Sequence, residues 1–247
     1  MYRFYIEQSQ VHEDFITIEG SDVNHIKNVL RMKIGEAMVL CDGQGTDYHC
    51  TIDSLANDFV QARIVDSEIT QTELPAKIYL FQGLPKKDKM ELIIQKAVEL
   101  GVYQIIPVMM KRSVVKLDDK KKEQKKLERW QSIATSAAKQ SGRGIIPDIV
   151  PVMPFKEAVK VAKEMEYKVL PFEHAEGMEE TKRIIREVQG KNSVAIFIGP
   201  EGGFEDDEVA YAMEEAGIQP ITLGKRILRT ETAGLTILSV LMFELES

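Results

Sequence analysis

Two glycine-containing segments near the end of the chain hold the residues whose types and spacing could do chemistry: Val194 to Phe204 (VAIFIGPEGGF) and Ile221 to Ala233 (ITLGKRILRTETA). In the first, an apolar run from Val194 to Ile198 enters Gly199-Pro200-Glu201-Gly202-Gly203, followed by the acidic stretch Glu205-Asp206-Asp207-Glu208. Carboxylates there suit the positive end of a helix dipole. They argue against a phosphate ligand, because an anion would face four negative side chains where a phosphate loop offers Lys and Ser or Thr. Neither GxxxxGK[ST] nor a GxGxxG after a strand occurs. Together the two segments read as one backbone-lined pocket for a neutral or cationic ligand.

The elements that must position this pocket show a change of period along the chain. From Tyr2 to about Ser67 there are short alternating strands, such as Phe15 to Ile18, Ala37 to Leu40 and Phe59 to Val65, broken by turn signals at Gly20-Ser21, Asp42 to Gly45 and Asn57-Asp58. With one short helix near Asp22 to Leu30, this is the pattern of a small β-barrel. The polar stretch Ile69 to Pro75 reads as a linker, giving domains at 1–73 and 74–247. Beyond it, apolar strands at about 78–82, 103–109, 148–152, 167–171, 193–198 and 219–223 each precede a helical segment. Asp88 and Glu91 have the spacing of a capping box, Leu92, Ile93, Ala97 and Leu100 form a stripe, and Gly101 ends the helix. A second helix spans about Asp119 to Gln140, with Leu127, Trp130, Ile133, Ala134 and Ala137 facing inward. The alternation predicts an α/β domain with a mostly parallel sheet and helices on both faces. Ligands of such sheets bind beyond the carboxyl ends of the strands, where both glycine segments lie.

Composition excludes several classes. The chain has 247 residues, 44% of them hydrophobic, and no apolar run approaching the roughly 20 residues that cross a bilayer. The start, Met1 to Glu7, shows no basic leader, so a cytoplasmic protein is expected. Cys41 and Cys50 lack metal spacing and read as reduced thiols. His12, His25, His49 and His174 are scattered, and no metal site is expected.

Charge is unevenly distributed. Residues 1–73 carry a net −8, residues 77–143 a net +9 and residues 144–247 a net −8. A phosphate backbone meets the local field, which fades within about 8 Å at physiological salt. The run Lys120 to Lys126, flanked by Lys86, Lys87, Lys89, Lys111, Arg112, Lys116, Lys139 and Arg143, therefore tilts the middle segment towards a nucleic-acid face.

The sequences Ile198 to Phe204 (IGPEGGF) and Leu223 to Ala233 (LGKRILRTETA) resemble the second and third motifs of SPOUT-class RNA methyltransferases. More narrowly, the chain is similar to the bacterial family that methylates N3 of a uridine in 16S ribosomal RNA. Arg3-Phe4, His25 to Arg31, Leu84 to Gly101 and Arg129 to Arg143 match the same pattern, so the likeness covers nearly the whole chain. The resemblance implies a PUA-like N-terminal barrel, a trefoil-knotted SPOUT domain, a homodimer acting on 16S ribosomal RNA in the small subunit, and S-adenosylmethionine (SAM) as methyl donor.

The residues are compatible with that donor. SAM carries a sulfonium and an adenine but no phosphate. Gly199, Gly202 and Gly203 would leave space for close backbone approach, and Leu223, Ile227 and Leu228 would wall the adenine. Within the matched motifs, Ile198, Gly224, Thr230, Thr232 and Ala233 complete the implied cofactor set, and by analogy so does the strand end Leu170-Pro171-Phe172. Methyl transfer to uracil N3 must align the reactants and remove a proton or stabilise the developing anion. Arg229, just ahead of a helix running from Thr230 to Glu244, is the candidate stabiliser. Glu201 and Glu231 are the candidate acceptors, with Glu231 equally suited to the first helical turn and Thr230 or Thr232 to its cap. The apolar face of that helix fits either a core or a subunit contact.

Substrate recognition is expected from Arg3, Lys27, Arg31 and Lys33 in the barrel, Lys86 and Arg112 in the basic segment, and Gln140 and Arg143 by analogy. Two alternatives stay open at this level. One is a methyltransferase of the same class acting on transfer RNA or 23S ribosomal RNA, including at a ribose 2′-oxygen; the other is a non-catalytic ribosome-assembly factor.

Overall fold

A computed structural model describes residues 1–86, 88–115, 120–175 and 177–246. Contacts divide the chain into two units, Met1–Glu73 with Ala138–Ile146, and Leu74–Ala137 with Pro147–Ser247. The segment 138–146 thus belongs with the first unit, not with the second domain to which the sequence reading gave it. Glu73 is the reason: its carboxylate accepts from Arg143 Nε at 2.9 Å and from the backbone N–H groups of Gly144 and Ile145 at 2.9 and 3.2 Å. Gly144 in turn accepts from Gly45 N at 3.0 Å, and its missing side chain is what lets Thr70 approach. The polar stretch Ile69 to Pro75, expected as a linker, is pinned into the first unit as far as Glu73.

In that unit β1 (Tyr2–Tyr5), β2 (Phe15–Glu19), β3 (Ala37–Cys41), β4 (Thr46–Leu55) and β5 (Phe59–Ile69) form one sheet in the order β1-β3-β4-β5-β2. Only the β1–β3 pair is parallel. The edges β1 and β2 do not pair, so the expected barrel is a curled, open sheet. Period-2 alternation buries Phe4, Ile16, Ile18, Met38, Leu40, Cys50, Ile52, Val60 and Ala62 on its inner side. The short helix α1 (Ser21–Asn24) runs on into a wide helical turn, His25–Val29, which adds Val23 and Ile26 to this core. Both cysteines are free and buried.

The second unit follows the expected alternation: β6 (Lys77–Gly83), α2 (Lys89–Glu99), β7 (Val102–Met109), α3 (Lys120–Ser141, its last residues in the first unit), β8 (Asp148–Ile149), β9 (Met153–Pro154), α4 (Phe155–Ala162), β10 (Tyr167–Pro171), α5 (Met178–Arg186), β11 (Ser193–Ile198), α6 (Asp206–Ala216), β12 (Gln219–Ile221) and α7 (Thr230–Leu245). All strand pairs are parallel, in the order β12-β10-β11-β6-β7-β8, with β9 also on β7. Helices α4 and α6 cover one face, where Phe155, Ala158, Val209 and Ala212 pack on Phe81 and Phe197, whose rings stack 4.3 Å apart. On the other face α7 packs against α2, α5 and β11. Covered on both sides, β11 needs the continuous apolar run that its sequence shows. Because β10, β11 and β12 run parallel and close together, the loops that follow them meet at one edge of the sheet.

Two local expectations differ. Asp88 is the N-cap of α2 but makes no side-chain capping bond; Glu91 is drawn instead to Arg129, whose Nη2 donates to it at 2.8 Å. Capping boxes occur instead at α6, between Glu205 and Glu208, and at the short helical turn after Glu7, between Glu7 and Gln10. Gly101 ends α2 at φ 90°, as expected. Lys87, Lys116 and Asp119 lie outside the described residues.

Candidate cofactor and catalytic site

The loops after β10, β11 and β12 and the start of α7 enclose a cleft of about 960 Å³. Of the proposed cofactor residues, Pro171, Phe172, Ile198, Gly199, Gly202, Gly203, Leu223, Gly224, Ile227, Leu228, Thr230 and Ala233 line it, as do Glu201 and Arg229. Leu170 does not. It is 1% exposed and sits in the core with Phe197, because the alternation of β10 sends it away from the cleft. Thr232 is also outside, exposed on the surface of α7. Neither Thr230 nor Thr232 caps α7: its N-cap is Arg229, without a side-chain capping bond.

The three glycines line the cleft, and their bareness also serves the fold of the loop. A Cβ on Gly202 would meet Arg112 Cβ at 2.9 Å, and one on Gly199 would meet Gly203 at 3.1 Å. Gly203 has φ 70°, which disfavours any side chain. The space left by Gly199 is filled by the loop's own backbone and that left by Gly202 by the Arg112 side chain. Gly83 at the end of β6 is a further case, since a Cβ there would lie 2.6 Å from Pro200 N.

A buried polar network locks the two motif loops together. Thr230 Oγ1 donates to Gly199 O at 2.6 Å and accepts from Gln82 Nε2 at 2.9 Å; Gln82, fully buried, also donates to Gly83 O at 3.0 Å. The sequence reading missed Gln82. Its signal was present, a lone amide ending the apolar strand Ile78 to Phe81.

The charged side of the cleft adds Lys89, which the sequence offered only as one of the basic residues of the middle segment. Its Nζ lies 3.3 Å from Glu201 Oε1 and 3.1 Å from Glu231 Oε2, so one ammonium bridges both candidate acceptors. Glu201 Oε1 also accepts from Lys86 N at 2.9 Å. Burial pushes the Glu201 carboxyl up, but the N–H groups of Lys86 and of Glu201 itself, with Lys89 beside it, outweigh burial and hold it below the usual carboxylate range. The contact with Glu231 is the chief reason that the Lys89 ammonium is held above the ordinary lysine range, with burial opposing and Glu201 adding. Arg229 is exposed and makes no ion pair with the described residues.

The eight expected RNA contacts divide. Arg31, Lys33, Lys86 and Gln140 are exposed. Arg143 is buried at 3% exposure on Glu73, so an RNA contact is corrected to a structural ion pair. Arg3 donates twice to Asp47 at 2.8 Å, Lys27 bonds to the Ala56 carbonyl, and Arg112 holds Glu205 and Gly202 O at 2.8 Å. These three charges are engaged by the protein itself. Lys120, Lys121, Lys122, Lys125 and Lys126 are exposed along α3. Among the described residues no cluster of His, Cys, Asp and Glu could hold a metal, and no helix is long and apolar enough to cross a membrane.

The cleft fits SAM by its chemistry. Pro171, Phe172, Leu223 and Leu228 offer apolar walls, backbone groups of both glycine segments offer polar edges, and Glu173 puts a carboxylate at the rim where a sulfonium would be welcome.

Comparison with known proteins agrees. A family described as RNA methyltransferase domain matches residues 72–242, and one described as RNA methyltransferase PUA domain matches residues 18–65. The chain is 38% identical over 252 residues to the ribosomal RNA small subunit methyltransferase E of Bacillus subtilis (strain 168), covering 100% of this chain and 98% of that protein. It is 36% identical to the enzyme of the same name from Mesomycoplasma hyopneumoniae (strain 232), covering 97% and 98%. The crystal structure of the ribosomal RNA small subunit methyltransferase E from Neisseria gonorrhoeae, bound to S-adenosyl methionine, is similar at a TM-score of 0.77 with 33% identity, over 97% of this chain and 95% of that one. A putative methyltransferase from Legionella pneumophila with bound SAM is similar at a TM-score of 0.77 with 34% identity, covering 97% and 96%.

Proposed function

The chain belongs to the RNA methyltransferase family, its N-terminal unit being that family's PUA domain, and from this premise we infer that it methylates N3 of a uridine in 16S ribosomal RNA, using SAM. When bound, SAM supplies an electrophilic methyl on a sulfonium. Everything else the reaction needs must come from residues around the cleft.

The observation that carries the reading is the pairing, in one cleft, of a compact backbone-lined pocket with an uncommitted cation, Arg229, at the head of α7. Uracil N3 is protonated at neutral pH and is flanked by two carbonyls. Losing its proton places negative charge on those oxygens, and a guanidinium carried at a helix N-terminus meets it favourably. Of the two carboxylates, Glu201 already accepts the Lys86 N–H and is held low, so it is a weak base that serves better to shape the loop. Glu231 Oε2 is buried 3.1 Å from the Lys89 ammonium, which leaves Oε1, without a hydrogen bond among the described residues, as the oxygen for the N3 proton.

RNA would be gripped by the exposed Arg31, Lys33, Lys86 and Gln140 and by the lysines of α3. The acidic remainder of the chain favours the assembled small subunit over naked RNA. A cytoplasmic homodimer completes the proposal: α7 leaves Val240 and Phe243 exposed, the latter at 74%, on a helix whose Ile237, Leu238 and Leu241 are buried.

The test incubates the protein with labelled SAM and small subunits from cells lacking the gene, then identifies the labelled nucleoside by mass spectrometry. The expected product is 3-methyluridine in 16S RNA. A 2′-O-methyl nucleoside, or label confined to transfer RNA or 23S RNA, would overturn the acceptor; no label on any RNA would leave a binding protein.

A further inference from the structure

Lys89 breaks a local rule. It is the first residue of α2, where the helix dipole disfavours a cation. Arg229 is the N-cap of α7, one position further out than Lys89 is on α2, and both line the same cleft. Two helix N-termini, each with a cation, therefore face one space. Such a site is arranged for negative charge that appears inside it.

The charge on a deprotonated uracil is shared by two ring oxygens, one on each side of N3. Resting on the acceptor inferred in the preceding subsection, we propose that Lys89 is a second catalytic cation, its ammonium donating to one ring oxygen while Arg229 meets the other. Lys89 is suited to donate and not to accept, since its contacts with Glu231 and Glu201 keep it protonated. The same contacts set it in place before substrate arrives, so no reorganisation is needed as charge develops. Its side chain remains 28% exposed, open to an incoming base.

The step balances without a further reactant. The N3–H bond breaks, its proton passes to Glu231 and its electron pair stays on the ring, stabilised by Lys89 and Arg229. N3 then takes the methyl, and the electron pair of the broken S–C bond returns to sulfur. Glu231 afterwards releases the proton to water.

The test compares wild type, Lys89→Ala and Lys89→Arg on small subunits lacking the mark. Lys89→Ala should lower kcat about 100-fold while KM for subunits and the calorimetric SAM affinity of the free protein change less than about 3-fold. Added methylammonium should restore about 10-fold or more of that loss, and Lys89→Arg should keep kcat within about 10-fold. A loss of SAM affinity matching the loss of rate, with no rescue by the amine, would overturn the proposal and leave Lys89 as a tie between the Glu201 loop and α7. Should Lys89→Ala fail to fold, Lys89→Met keeps the stem without the charge and is read in the same way; failure of both to fold would equally assign Lys89 to structure. The nucleoside made by wild type is read separately, and any product other than 3-methyluridine would remove the acceptor and with it the second-oxygen role.

Discussion

The hydroxyl of Thr230 donates to the carbonyl of Gly199 at 2.6 Å, joining the head of α7 to the loop that follows β11. With Gln82 Nε2 already donating to the same hydroxyl at 2.9 Å, the direction of the Thr230 proton is fixed. Removing that hydroxyl leaves a buried amide donor and a carbonyl unpaired, a cost of about 1–3 kcal/mol. Thr230→Val is expected to weaken SAM binding about 10-fold, read by calorimetry, and Thr230→Ser to restore it.

Gly83 permits the approach of Pro200. A Cβ at this position would lie 2.6 Å from Pro200 N, 2.8 Å from Pro200 Cδ and 2.9 Å from Met110 Sδ, two of them parts of the loop backbone or ring that cannot swing away. Gly83→Ala is expected to destabilise the protein by about 1–3 kcal/mol in urea unfolding and to reduce SAM affinity, because the displaced segment is the cofactor loop.

Arg229 has no ion pair to lose among the described residues, so its removal should leave stability unchanged. Arg229→Ala is expected to lower kcat about 100-fold, with a thermal midpoint and a SAM affinity close to wild type. An equal loss of SAM affinity would instead make Arg229 part of the cofactor site.

Arg143 supports the first unit through Glu73, and both partners are largely covered. Removing one partner strands the other charge, so Arg143→Ala is expected to cost about 3–5 kcal/mol. Below its melting temperature the variant should bind 16S RNA with the same salt dependence as wild type, since no phosphate contact is lost. A shallower salt slope would return Arg143 to the RNA face.

Glu201 gives a pH dependence with a definite sign. Its carboxyl is held below the usual range in the folded protein, so the stability it contributes is present above the unfolded value, about 4.3. That stability is lost as pH falls through the lower folded value. The difference in unfolding free energy between wild type and Glu201→Gln should be constant from pH 8 to about 5 and shrink towards zero as acid protonates the folded carboxyl.

Much of this protein was determined by local sequence. The run Val194 to Ile198, five apolar residues ending at a Gly-Pro pair, suits a strand covered on both faces, and Gly101 follows the apolar stripe of α2 where a helix stop belongs. The glycine segments, read with the parallel alternation around them, fixed the edge of the sheet at which a ligand binds. Tertiary structure decided how charges were shared. Arg3, Arg112 and Arg143 are basic in the sequence, yet each meets a carboxylate, Asp47, Glu205 or Glu73, that lies 44, 93 or 70 positions away. Lys89 and Gln82 are brought to Glu231 and Thr230 only by the packing of α2 and β6 beside α7. Periodicity reports which face of an element is buried, because that depends on its own neighbours; the partner of a given charge depends on where distant segments cross, and no local pattern encodes it.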